Sequence, residues 1–124
     1  MPSIRIRPDD VFVASYPKSG NTWVRFLLAN LLAPGEKITF RNIDNYVPDI
    51  YKCASILEDR RGRRYIKSHH PCYERYPMLI DIYRDGRDAL VSYYHYAQKE
   101  VHRHVRGIRV FPHLSQSFHL GASM

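Results

Sequence analysis

The apolar residues of the first third of the chain follow two successive periodicities. Val11, Phe12, Val13 and Ala14 form a short unbroken apolar run, the pattern of a strand covered on both faces. Pro17, Ser19, Gly20, Asn21 and Thr22 interrupt it within a few positions. From Val24 the apolar residues recur as Val24, Leu27, Leu28, Leu31 and Leu32, the stripe of an amphipathic helix, which Pro34-Gly35 ends. The pattern predicts a strand, a tight loop and a helix across residues 10–35.

The alternation returns later in the chain. Tyr65 to Ser68 reads as a second strand and Met78 to Tyr83 as a third, with Pro71 and Pro77 bracketing the connection. Asp85 then stands at a helix N-cap, with Asp88 at the capping-box position. Ala89, Leu90, Tyr93, Tyr94 and Ala97 supply the packed stripe of that helix, leaving Asp88, Ser92 and His95 on the other side. Between these units, Lys37 to Tyr46 has no clear period, and Pro48-Asp49 opens a short helix running through Leu57. The charge run Glu58 to Arg64 reads as a solvated loop. Residues 1–9 read as a basic irregular lead-in, and Val101 to Met124 as a strand and turn or a tail.

Strands alternating with helices predict an α/β fold with a parallel sheet, and ligands of such sheets sit beyond the carboxyl ends of the strands. Lys18, His69 and Arg84 each fall at or just past such an end, so three distant stretches are expected to meet in one crevice.

At 124 residues the chain suits a single domain, 1–124, with 100–124 as its tail. Nineteen Lys and Arg against twelve Asp and Glu leave a net charge of +7, which favours an anionic partner without choosing among nucleotide, small anion, nucleic acid or membrane surface. No run approaches the ~18 apolar residues of a spanning helix, and the amino terminus lacks a signal-peptide core. A cytoplasmic protein with no membrane span is expected. Cys53 and Cys72 are too far apart for a CxxC motif, and reduced thiols are expected, a single disulfide being the alternative.

A loop between a strand and a helix aims unpaired N–H groups and the positive end of the helix dipole at one spot, where an anion fits. Lys18 adds a charge there, and Ser19, Asn21 and Thr22 add short donors. The rival reading is a plain turn capped by Ser19 or Asn21, with a solvated lysine. The loop is P-loop-like but not a Walker A loop, because the lysine precedes the glycine, which argues against a nucleotide kinase or NTPase.

Tyr16 to Trp23, YPKSGNTW, resembles the phosphosulfate loop of the soluble sulfotransferases, usually YPKSGTTW; Asn21 replaces a threonine. YIKSHHP resembles their IKTHLP segment, and YRDGRDALVSYYHY resembles their 3′-phosphate motif. The three occur in family order, covering residues 10–35 and 65–99. The resemblance implies a sulfotransferase-like α/β fold and 3′-phosphoadenosine 5′-phosphosulfate (PAPS) as co-substrate, with no metal. It implies a sulfuryl transfer to a small-molecule hydroxyl or amine acceptor, or else a domain that binds PAPS or its desulfated product without completing the reaction. By the same resemblance His69 is the base, Lys67 helps hold the transferring group, and Arg84 and Ser92 grip the ribose phosphate. Lys18, Ser19, Gly20, Asn21 and Thr22 form the phosphosulfate loop, and Trp23 stacks on adenine.

These roles suit the residue types. Moving an anionic group between two oxygens leaves the protein mainly positioning and charge stabilisation. Arginine binds two phosphate oxygens with its fork, and a neutral histidine accepts a hydroxyl proton. Each has a plainer rival. His69 is otherwise a loop histidine, Arg84 a surface partner of Asp85 or Asp88, and Trp23 core. His102 and His104 form an H-x-H pair suited to a metal on a strand but lack a third ligand. The basic residues lack the aromatic interleaving of a nucleic-acid face. The glycine-rich R-K-G segment that follows the serine motif in the family has no match, so the domain reads as truncated. An uncovered sheet edge and apolar surface would then favour a homo-oligomer.

Overall fold

The computed structural model describes residues 4–104. Its elements are β1 (Val11–Ser15), α1 (Asn21–Leu32), α2 (Ala54–Asp59), β2 (Tyr65–Ser68), β3 (Met78–Ile82) and α3 (Gly86–His104), with one-turn 3-10 helices at Ile43–Asn45 and Tyr73–Arg75. The three strands form one parallel sheet in the order β2-β1-β3, the expected α/β architecture.

β1 is buried along its whole length, because it pairs on both edges and is covered on both faces. Its side chains alternate between two cores. Phe12 and Ala14 pack with Ile50, Leu57, Ile66 and Tyr76, the Phe12 and Tyr76 rings stacking with centroids 4.0 Å apart. Val13 packs on the other side with Ala29, Ile43 and Val47. Residues 48–50 run beside β2, where Lys67 N–H donates to the Pro48 carbonyl and Ile50 N–H to the Lys67 carbonyl. The short helix expected from Pro48 starts only at Ala54, because Asp49 and Ile50 are taken up in this pairing.

On both long helices only part of the apolar stripe faces inward: Val24 and Leu28 of α1 and Ala89, Tyr93 and Ala97 of α3 are packed, and the rest of each stripe is exposed. On α1 the buried residues are Asn21, Arg25 and Ala29, while Leu27 and Leu31 are 64% and 77% exposed. Asn21 and Arg25 bear burial because each is bonded. Arg25 donates from Nε and Nη2 to the Val47 carbonyl and pairs with Asp44 at 2.6 Å. On α3 Ala89 is buried and Ser92, Tyr93 and Ala97 are half-buried, while Leu90 and Tyr94 are exposed. Ser92 thus lies on the packed side, not opposite it. The Tyr16 ring meets Tyr93 edge-on, and the Lys18 ammonium lies over Tyr96, drawing that face inward. Residues 102 and 104 belong to α3 rather than to a strand, and 105–124 lie outside the described residues.

The charge run is not simply solvated. Arg64 is fully buried and forms a two-pronged pair with Asp10, Nε to Oδ1 at 2.7 Å and Nη2 to Oδ2 at 2.6 Å. Its remaining donors reach the carbonyls of Leu57 and Arg5, so every side of the guanidinium is met. The lead-in is tied down by the same cluster, and Ile4 and Ile6 pack against the core. Removing one partner strands the other charge in the interior. Arg64→Met should lower unfolding free energy by about 3–5 kcal/mol, measured by urea denaturation; a loss below about 1 kcal/mol would place the pair among ordinary surface pairs.

Candidate active site

The strand register brings the three motifs to one level. Ala14 pairs with Ser68 on one edge of β1, and Ser15 with Ile82 on the other. The next residues out are His69 on the β2 side, Tyr16 to Lys18 in the centre, and Tyr83-Arg84 on the β3 side. A central strand whose neighbours come from separate crossovers opens such a crevice at its carboxyl end.

Side-chain contacts close this arrangement. The Nδ1 of His69 lies 2.8 Å from the Ser15 carbonyl, the last residue of β1. Arg84 donates from Nη1 to the Lys18 carbonyl at 3.0 Å. Asp85, by contrast, pairs with Arg87 and caps α3 through the Arg87 N–H at 2.9 Å. His69 and Arg84 therefore hold the β1–α1 loop at its start, Ser15, and at its middle, Lys18. The Lys18 ammonium lies 4.8 Å from the centre of the Tyr96 ring, one turn along α3 from Ser92.

The loop itself has a left-handed backbone at two positions and leads into an uncapped helix. Lys18 and Gly20 both have positive φ, 66° and 103°, and Gly20 is the N-cap of α1. No side chain caps that helix, and its first turn carries no acidic residue. The turn capped by Ser19 or Asn21 is thus not what forms. Ser19 is buried and Thr22 exposed, while Asn21 faces inward, its Nδ2 donating to the Val13 carbonyl and to Ser15 Oγ, both at 3.1 Å. Trp23 is 78% exposed, so it is not core.

Lys67 has a partner that its sequence neighbourhood does not announce. Its Nζ donates to Asp49 Oδ2 at 2.7 Å, because the bridge between residues 49 and 67 sets the two side chains beside each other. Burial pushes the Asp49 carboxyl up, but the bonded Lys67 ammonium, the Tyr51 N–H and Arg25 outweigh it and hold it below the ordinary carboxylate value. His69 is moved below its ordinary value by burial first. The Ser15 carbonyl opposes that shift, Lys67 and Arg25 add to it, and Asp49 counters it. Next in the chain, His70 Nδ1 contacts Cys72 Sγ at 2.9 Å, and both Cys53 and Cys72 are free thiols. Ser15 and Asp49 are the residues that sequence reasoning missed; each is joined to its partner across the sheet rather than along the chain.

Backbone shape at the loop is testable apart from any ligand. A Cβ at Gly20 would meet nothing within 4 Å, so the penalty of Gly20→Ala is conformational: about 1–2 kcal/mol lost in thermal or urea unfolding. Gly86→Ala, at the start of α3 where φ is not positive, should instead gain up to about 1 kcal/mol. Equal effects at both sites would contradict the loop geometry.

Comparison with known proteins matches the pattern to a family. Residues 8–122 match the sulfotransferase domain family. The chain is 32% identical over 111 residues to sulfotransferase 1E1 of Cavia porcellus, covering 76% of this chain and 37% of that protein. It is 31% identical over 113 residues to sulfotransferase 1A1 of Canis lupus familiaris, covering 77% and 38%. It is 32% identical over 107 residues to an amine sulfotransferase of Oryctolagus cuniculus, covering 77% and 36%. The chain therefore spans a little over a third of the length of these relatives. No helix among the described residues is long and apolar enough to cross a membrane. With its loop, its sheet order and its matched residues, the chain belongs to the sulfotransferase family.

Proposed function

We propose that this chain carries the donor-nucleotide part of a sulfotransferase site, which moves the sulfuryl group of PAPS to a hydroxyl or amine of a small cytoplasmic acceptor. The observation that carries the reading is the double grip on the β1–α1 loop, His69 at the Ser15 carbonyl and Arg84 at the Lys18 carbonyl. PAPS, when bound, supplies an activated sulfuryl group on a phosphate leaving group. The loop suits those anions: uncapped N–H groups at α1, an acid-free first turn and Lys18 beside them.

In this reading the N–H groups of residues 19–22 and the Lys18 ammonium hold the phosphosulfate and balance the charge that develops on the leaving oxygen. Arg84 and Ser92 hold the 3′-phosphate, and Trp23, exposed beside the loop, offers its ring to adenine. His69 accepts the acceptor's proton at Nε2, since Nδ1 donates to the Ser15 carbonyl. Lys67 assists only if its ammonium is shared between Asp49 and the transferring group.

That pairing favours a second reading, a module that binds PAPS or its desulfated product without transfer. The two separate experimentally. Calorimetric titration with the desulfated nucleotide should show binding that weakens at least about tenfold in Lys18→Ala and Arg84→Ala, each removing one charged contact; no heat from the wild type would overturn both readings. Turnover of labelled PAPS across phenol, alcohol and amine acceptors, abolished in His69→Ala, selects the first, whereas binding without turnover selects the second. The pH dependence follows from the depressed His69. The imidazole is neutral and active above its pKa, so rate is lost as pH falls, with a midpoint below 6.5. An acid limb centred above 6.5 would remove His69 from the base role.

A further inference from the structure

We infer that Asn21 and Ser15 are positioning residues that fix His69 in the tautomer protonated at Nδ1, so that its free lone pair is at Nε2. The inference rests on the proposed role of His69 as a base and adds the device that holds it ready.

The argument is one of donors and acceptors. A backbone carbonyl only accepts, so the 2.8 Å contact between Ser15 O and His69 Nδ1 requires a proton on Nδ1. The hydroxyl of the same serine lies 3.4 Å from Nδ1, a second and weaker contact to the same ring nitrogen. Asn21 bonds to that hydroxyl as well. Its Nδ2 donates both to the Val13 carbonyl and to Ser15 Oγ, at 3.1 Å each. The Val13 carbonyl likewise only accepts, so the amide cannot turn over without setting oxygen against oxygen. With its nitrogen fixed toward β1, Asn21 holds the Val13 carbonyl and one lone pair of Ser15 Oγ, and so fixes the strand end that carries the Ser15 carbonyl, while the hydroxyl keeps its own O–H and a second lone pair.

The other end of the amide shows how firmly this orientation is imposed. Asn21 Oδ1 is a buried side-chain oxygen with no hydrogen-bond partner among the described residues. A buried acceptor without a partner is uncommon and calls for a reason. Here the reason is that both N–H groups are committed to the end of β1. Asn21 is only 4% exposed and Ser15 2%, so water does not readily compete for either contact. Asn21 thus ties the first turn of α1 to the carboxyl end of β1, and Ser15 passes that constraint across the sheet to His69.

The test reads the tautomer directly. Two-bond proton–nitrogen spectra of the imidazole side chains, recorded above neutrality, distinguish a protonated from an unprotonated ring nitrogen, and His69→Gln identifies the His69 signals among the seven histidines. The wild type should show a single form, protonated at Nδ1; a form protonated at Nε2 overturns the proposal without any variant being made. Ser15→Ala keeps the carbonyl and should leave the form protonated at Nδ1 in place; a mixture there would assign the tautomer to the hydroxyl and overturn the carbonyl argument. In Asn21→Ala, which frees the strand end that carries the carbonyl, the His69 signals should move toward a mixture of the two tautomers. Should Asn21→Ala fail to fold, Asn21→Leu, which keeps the volume without the donors, carries the same test. Unchanged His69 signals in a folded Asn21 variant would make Asn21 merely structural. In turnover, kcat should fall about tenfold with KM for PAPS little changed, part of the factor a general base contributes. Loss in KM alone would count against positioning. If His69→Ala leaves transfer intact while the tautomer result holds, it is the base assignment that fails, not the positioning.

Discussion

Pairing of β1 on both edges is the constraint from which the candidate site follows. A parallel strand hydrogen-bonded on one side leaves its neighbour's end free to shift by a pair of residues. Bonded on both sides, β1 fixes the ends of β2 and β3 against the same loop, Ser15 to Gly20. His69 and Arg84 come from stretches fifteen residues apart, yet each reaches a carbonyl of that loop. Their chemistry depends on a register that is set by the burial of Phe12, Val13 and Ala14 on opposite faces.

Buried polar groups do much of the remaining alignment. Asp10 and Arg64 anchor the entry to β1 and β2, joining the lead-in to the core. Arg25 binds α1 to the turn around Val47, and Lys67 binds β2 to the segment beside it. Such groups contribute little net energy when fully bonded, since desolvation offsets their attraction, but they penalise every arrangement that leaves one unpaired. The sheet ends are held in one geometry by this selectivity more than by apolar area. Lys67 is thus held by Asp49 while its charge is felt by the His69 imidazole.

The outer faces have a different character. Trp23, Leu27 and Leu31 follow each other along α1 at four-residue intervals and are all well exposed, and β3 is an edge strand among the described residues. The apolar stripe seen along the helix is therefore split: Val24 and Leu28 pack against the core, while Leu27, Leu31 and Leu32 face outward. The fully buried positions of the inner face are Asn21, Arg25 and Ala29, the first two held by hydrogen bonds to other elements.

The chain order alone determined the strands, the loop and the helix after it, because periodicity and turn chemistry are local. β2 lies exactly where its pattern put it, and β1 and β3 differ by a residue. The motif residues were legible for the same reason: a loop lysine, a histidine after a strand and an arginine before a helix are each written in one short stretch. What only the tertiary structure decided are the partners. Nothing near Lys67 names Asp49, nothing near His69 names Ser15, and the charge run around Gly62 does not say that Arg64 turns fully inward to meet Asp10. Part of each inward face was in the stripe, Val24 and Leu28 on α1 and Ala89, Tyr93 and Ala97 on α3, but the burial of Asn21 and Arg25 was hidden, since hydrophobicity cannot foretell a polar residue whose hydrogen bonds are supplied from another element.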